Sequence, residues 1–305
     1  MNVHAVVVTY HPGDLTELLT ALATQCGAVT VVDNTEGGSD NLSRIAENLN
    51  LHLITLGQNL GIAAAQNIGI SKAMETGAEA ILLSDQDSMI PPAMVTTLAA
   101  HLAPGVAAVG PVPVEGEDIL VYTDHAWGPK RPTRIGPDPF EVSFLLASGS
   151  LISADVLATV GMMDGEYFID HVDLAWSMRA RRHGYRLLAV PATTLTHSLG
   201  DSVLKVPGRS RVVHIHSPIR NYYLTRNTLA LMKNQDLPRR WRIRYGYWIA
   251  RFIAFNLLVN PDRAERARAF AAGLAHGLRG RMGRKPSRAK ERGPVSTLFT
   301  RTFLE

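Results

Sequence analysis

The chain has 305 residues, 46% hydrophobic and 19% charged, with a formal net charge of +4. This is an ordinary globular composition, long enough for one large domain or two small ones. A single cysteine, Cys26, excludes an internal disulfide framework and a cysteine-built zinc site.

The charge is unevenly spread. Residues 239–305 hold 16 Lys and Arg against four Asp and Glu, which leaves 15 against 23 in the rest of the chain. An acidic body with a basic end suits contact with an anionic surface, or simply a solvated tail. The N-terminus, MNVHAVVVTYHP, lacks the charged start and long apolar core of a signal peptide, so a cytoplasmic protein is expected.

In chain order, VHAVVVTY is a strand, and Asp14 with Glu17 opens a helix over DLTELLTALATQ. AVTVVDN is a second strand, SDNLSRIAENLN a helix, LHLITLG a third strand, residues 62–76 a helix and AEAILLSD a fourth strand. Continuous apolar strands alternating with helices predict an α/β fold with a mostly parallel sheet covered on both faces. Ligands of such sheets gather at the carboxyl ends of strands, where Asp33, Asp85 and Asp87 fall.

After Pro92 come a helix and a strand over GVAAVGPVPV, then a long loop or hairpin over 115–140. VSFLLASGSLISADVLATVG reads as a strand, a glycine turn and a helix, and YFIDHVDLAWSMRARRHGYRLLAVP as a helix closed by Gly184, then a strand. Residues 198–213 are polar, basic and expected to be mobile, and SPIRNYYLTRNTLALMKN is helical. In the helix over 239–259, Trp241, Tyr245, Trp248, Phe252 and Phe255 share one face, and Arg240, Arg244 and Arg251 lie on the other. Its arginines interrupt a membrane span, so it is read as interfacial or packed. No internal repeat is present, and the stretch GRMGRKPSRAKERG is expected to be disordered.

Three motifs carry chemistry. Asp85 and Asp87, in LLSDQDS, offer hard oxygen ligands of the kind that tie Mg2+ or Mn2+ to substrate phosphates. In GQNLGIAAAQNIGI, Asn59, Gly61 and Asn67 surround a small-residue helix start, which suits close approach of an anion or tight helix packing. In FIDHVDLAWSMRARRHGY, Asp170 and Asp173 stand at a helix start, where each serves either as a base toward a hydroxyl or as a helix cap.

The ordered set VVVTYHP, VVDNT, NLGIAAAQNIGI, LLSDQDS, SGSLIS, FIDHVDLAWSMR and HGY resembles glycosyltransferase family 2 over roughly residues 1–230. VDLAWSMR and RNYYLTRN look most like its bacterial rhamnosyltransferase branch. The resemblance implies a GT-A (nucleotide-diphospho-sugar transferase) fold over 1–230; periodicity and charge add an amphipathic helical region over 231–280 and a flexible basic tail over 281–305. It implies an inverting, metal-dependent transferase that uses dTDP-L-rhamnose to build O-antigen or related surface polysaccharide, with a UDP- or GDP-sugar as the alternative donor. A glycan or lipid-diphosphate-linked acceptor, peripheral contact with the cytoplasmic face of the inner membrane and self-association are the expected partners.

Carried over by motif, Thr9, Tyr10, Asp33, Asn59 and Asn67 contact the nucleotide. Asp85 and Asp87 hold the cation, with His197 as a further ligand. Asp173 is the base, aligned through Arg179, with Val172 and Ala175 standing where the family carries acids, so Asp170 stays a rival. Arg220 or Arg226, near Tyr223 and Asn227, clamps the diphosphate, and Trp127 stacks on sugar or acceptor. Arg181, Arg182 and Arg186 are solvated charges. Two other classes fit less well. A nucleotidyltransferase would need a Gly-rich loop with basic residues where only TYHPGD stands. A nucleic-acid binder using residues 239–293 would lack any binding motif and carry an acidic body.

Overall fold

The computed structural model describes residues 1–116, 118–196, 202–204, 213–260 and 262–286. Its first half follows the sequence pattern closely. Strands β1 (Val3–Thr9), β2 (Ala28–Asp33), β3 (His52–Thr55) and β4 (Ala80–Asp85) pair in parallel in the order β3-β2-β1-β4. Helices α1 (Thr16–Gln25), α2 (Asp40–Leu49) and α3 (Ile62–Glu75) connect them. Every residue of β1 is buried, which is why the strand reads as a continuous apolar run. Helix α1 starts two residues past Asp14, whose carboxylate accepts from the N–H (2.9 Å) and hydroxyl (2.6 Å) of Thr16.

The small residues of α3 serve packing. A Cβ on Gly69 would lie 2.3 Å from Val6 Cγ1 and 3.1 Å from Val32 Cγ2, so the helix rides directly on β1 and β2. The strand register then sets the site: Thr9 pairs with Asp33 and Val8 with Asp85, bringing three carboxyl ends into one line.

The second half departs from simple alternation. It runs through α4 (Met94–Ala99), β5 (Val106–Glu115), β6 (Asp118–Ile119), β7 (Phe140–Glu141), β8 (Leu151–Ser153), α5 (Ala154–Val160), α6 (Val172–Arg182) and β9 (Arg186–Thr196). The sheet continues from β4 through β8, β5 and β9 to β7, with β6 beside β5. The long ladders are parallel, but β8 runs antiparallel between β4 and β5. The strand expected over VSFLL falls instead after the glycine turn, on Leu151–Ser153, where Leu83 donates its N–H to Ser150 O (2.9 Å) and its carbonyl accepts from Gly149 N (2.8 Å). Of the stretch 198–213, the described parts belong to an antiparallel pair, β10 (Ser202–Leu204) with β11 (Val213–Ile215), and the rest lies outside the described residues.

Three helices close the chain: α7 (Pro218–Lys233), α8 (Arg239–Leu258) and α9 (Arg263–Arg279). The boundary drawn at residue 230 falls inside α7. Helix α9 lies hard against α7, since Cβ atoms on Gly273 and Gly277 would meet Tyr222 O at 2.7 Å and Arg226 O at 3.0 Å. On α8, Trp241 is fully buried in the main core. Further along, Trp248 stacks on Phe252, centroids 5.2 Å apart, and Phe252 meets Phe270 of α9 edge-on at 6.0 Å. The aromatic face therefore packs inward at Trp241 and is half-buried at Tyr245, Phe252 and Phe255, while Trp248 stays exposed together with Ile243, Tyr247, Leu258 and Val259. Among the described residues no helix is long and apolar enough to cross a membrane.

Candidate active site

A cleft of about 1420 Å³ opens at the carboxyl ends of β1 and β4, faced by the start of α6 and by α7 and α9. Thr9, Tyr10, Asn59, Asp85, Asp87, Asp170, Asp173, Arg220 and Tyr223, all singled out by sequence, line it together.

Behind the cleft, Asp33 is fully buried and is not among the residues that line it. Its Oδ1 accepts from the Thr9 hydroxyl (3.3 Å) and the Thr35 N–H (3.1 Å), while its Oδ2 has no hydrogen-bond partner among the described residues. A buried carboxylate oxygen with an open lone pair suits an N–H donor of a ligand. Asn59 knits the loop before α3: its Oδ1 accepts from Asn34 Nδ2 (3.1 Å) and Gly61 N (2.9 Å).

Asp85 ends β4 with its N–H on Ser148 Oγ (3.2 Å), and Ser148 in turn meets Ser88. Burial first, then the nearby Asp87 charge, pushes the Asp85 carboxyl up to about 6, against the pull of Arg220. Gln86, between the two acids, bonds the backbone of Tyr10 twice, accepting from its N–H (2.7 Å) and donating to its C=O (3.2 Å). No group of three His, Cys, Asp or Glu forms a metal cage among the described residues. Asp85 and Asp87 do supply the hard oxygens, and the electrostatic cost of Asp85, that suit a divalent cation completed by substrate phosphates.

Asp173 sits in the first turn of α6 with Oδ1 accepting from Leu174 N (2.8 Å). Burial, chiefly, with the Asp85 and Asp170 charges, raises its carboxyl to about 6. Asp170 stands before the helix, in a turn with left-handed φ at Phe168 (64°), Asp170 (66°) and His171 (63°). Three such non-glycine residues store about 1–3 kcal/mol each. Helix α7 holds the turn. Asn227 Nδ2 donates to the carbonyls of Tyr167 (2.9 Å), Ile169 (2.6 Å) and Asp170 (2.9 Å), and Arg220 pairs with Asp170 at 2.5 Å. Phe168 stacks on Tyr223, and the His171 ring bonds Thr228 at 2.9 Å, its imidazole held down to about 4 by burial.

Several expectations need correcting. Arg226 is fully buried behind the cleft wall, its guanidinium bonded to the carbonyls of Glu166 (3.3 Å), Tyr167 (2.9 Å) and Gly283, so it does not reach a diphosphate. Asn67 spends its amide on Met163, donating to its O (2.8 Å) and accepting from its N (2.9 Å), away from the cleft. The first N–H of α3, on Ile62, is taken by Phe168 O (2.7 Å) rather than left for an anion. Trp127 is 73% exposed and beside α8, not in the cleft. His197 lies outside the described residues. Residues 281–286, expected to be flexible, are pinned by hydrogen bonds, and Arg284, Lys285 and Pro286 line the cleft, while 287–305 lie outside the described residues. Sequence reasoning missed these three, along with Gln86, His171 and Arg268. Only Gln86 had a local signal, its place between the acids.

Comparison with known proteins agrees with this geometry. The model of Glycosyl transferase family 2 matches residues 5–161. The dTDP-rhamnosyl transferase RfbF of Shigella flexneri is 33% identical over 287 residues, 92% of this chain and 96% of that protein. Among solved structures, S. aureus TarS 1–349 in complex with UDP-GlcNAc superposes with a TM-score of 0.60 at 19% identity, covering 92% of this chain and 82% of that one. GalNAc-T7 with UDP, GalNAc and Mn2+ gives a TM-score of 0.56 at 15% identity over 86% of this chain, which spans 58% of the GalNAc-T7 chain. The fold is the expected GT-A fold, and the chain belongs to glycosyltransferase family 2.

Proposed function

We propose that the chain transfers L-rhamnose from dTDP-L-rhamnose to a hydroxyl of a glycan or lipid-diphosphate-linked acceptor, inverting the anomeric carbon. One observation carries this reading. Asp173 lies half-buried in the same cleft as Asp85 and Asp87, without an ion pair among the described residues, while its rival Asp170 is paired with Arg220. The likeness to a dTDP-rhamnosyl transferase supports the sugar.

The Asp33 oxygen and the Thr9–Tyr10 segment receive the nucleoside, and Arg220 faces the diphosphate. Asp85 and Asp87 would hold Mg2+ or Mn2+, which when bound neutralises charge on the leaving diphosphate. Asp173 takes the proton from the acceptor hydroxyl, which attacks from the face opposite the nucleotide. A carboxyl near 6 is ionised at neutral pH yet basic enough for that role.

The setting we propose is surface-polysaccharide synthesis at the inner membrane. The outward residues Ile243, Tyr247 and Leu258, beside Arg244 and Arg251, support contact with anionic lipid. Sedimentation with anionic vesicles checks that part. For the reaction, transfer is measured with dTDP-rhamnose against UDP- and GDP-sugars. Preference for dTDP-rhamnose is expected, and a UDP or GDP preference discards rhamnose while keeping the mechanism.

A further inference from the structure

The segment after α9 turns back across the mouth of the cleft and is bonded on both sides of it. On the side of the C-terminal helices, Gly283 N donates to Glu166 O at 2.8 Å, and Arg226 donates to Gly283 O. Lys285 N donates to Tyr223 Oη at 2.9 Å, and its ammonium stands 5.0 Å over the Tyr222 ring. On the side of the N-terminal strands, Arg284 donates from Nη1 to Asn59 O (3.2 Å) and from Nη2 to Glu36 Oε1 (3.0 Å). Glu36 follows the β2 end that carries Asp33, and Asn59 is tied to Asn34, which also lines the cleft.

A segment fastened to both walls of a cleft sets its width. It also removes water from one flank of whatever lies inside. Both effects fall where Arg284 meets Asn59 and Glu36, beside the end of β2 that carries Asp33. We infer that Gly283–Pro286 is an integral wall of the donor site, which encloses the nucleoside diphosphate, and that Arg284 is the latch that holds this wall. The inference rests on the donor reading above and adds to it the residues that close the site.

The latch is an exposed ion pair, with Arg284 56% and Glu36 43% exposed, so changing it leaves the core intact. Reversing the sign of one partner replaces attraction by repulsion and removes the bond to Asn59 O, so an affinity loss of about fivefold to tenfold is expected.

The test is calorimetric binding of dTDP with Mn2+ to the full chain, to Arg284→Glu and to the swapped pair Glu36→Arg with Arg284→Glu. The single variant should bind about fivefold to tenfold more weakly, and the swap, which restores the ion pair though not the bond to Asn59 O, should return to within about threefold of the unmodified chain. Unchanged affinity in Arg284→Glu overturns the inference. A swap as weak as the single variant also overturns it, because Arg284 would then act on the ligand and not as a latch. Amide exchange gives an independent readout: dTDP should slow exchange at 283–285, and no change there would remove the segment from the site. If the unmodified chain binds none of dTDP, UDP and GDP, the donor reading itself fails.

Discussion

The two sides of the cleft are built by different means. The N-terminal side presents Thr9, Asp33 and Asp85 because three parallel strands end in register, so backbone topology alone delivers them to one edge. The C-terminal side presents Asp170 and Asp173 because α7 grips a strained turn through Asn227, Arg220 and Tyr223. The first arrangement survives the loss of any one side chain, whereas the second depends on a few buried polar groups whose removal leaves carbonyls unpaired.

The sharpest break in that comparison is at Asp173. Asp173→Asn should lower kcat by about 10³-fold with dTDP affinity within about threefold, measured by single-turnover kinetics and calorimetry. Its stability should not suffer. A raised folded pKa means the native chain binds this proton more tightly than the unfolded chain, so the carboxyl's contribution falls as pH rises from about 4 to about 6. An active Asp173→Asn with an inactive Asp170→Asn would move the base to Asp170.

Next in size is Asn227→Ala, which removes a buried donor from three carbonyls, of which that of Tyr167 keeps its bond from Arg226. It should cost about 2–4 kcal/mol in denaturant melts and, at temperatures where the variant stays folded, about 10²-fold in kcat. Substitutions of the register-built side should be milder. Thr9→Val should leave folding intact and weaken dTDP binding through Asp33, by about 1 kcal/mol.

Gly61→Ala probes where the two sides touch. Its φ is +88°, and a Cβ there would lie 2.6 Å from Phe168 O, so a loss of about 2–3 kcal/mol is expected. Gly57→Ala has φ +67° but open space around it, and should cost only about 1–2 kcal/mol.

A pH-dependent effect lies far from the cleft. Burial, chiefly, with His52 and Lys72 nearby, lowers the His4 imidazole to about 4. The folded chain keeps it neutral while the unfolded chain protonates, so about 2 kcal/mol of stability should be lost as pH falls from 6.5 to about 4. A His4→Gln variant should flatten that part of the acid-denaturation curve.

These contrasts track what was legible in the sequence. Asp33 and Asp85 could be placed because a buried parallel strand announces itself as an apolar run and its last residue faces the site. Asn67 and Arg226 could not, because a motif names a residue without saying which way its side chain points, and here both serve neighbouring backbone. The stripe on α8 was readable by period, but a period does not reveal what covers the stripe, and Phe270 of α9 does so. Arg284 was invisible for a third reason. Its partner Glu36 lies 248 residues away, and composition alone marked the stretch as solvated.

Gln86 carries one more consequence. Its amide adds a side-chain rung between the turn after β4 and the backbone of Tyr10. The loops after β1 and β4 are therefore tied to each other, and the rung holds the spacing between Tyr10 and the paired acids. Replacing that amide by an acceptor-only carboxylate, as in Gln86→Glu, would cut the end that donates to Tyr10 O and loosen the two loops from each other.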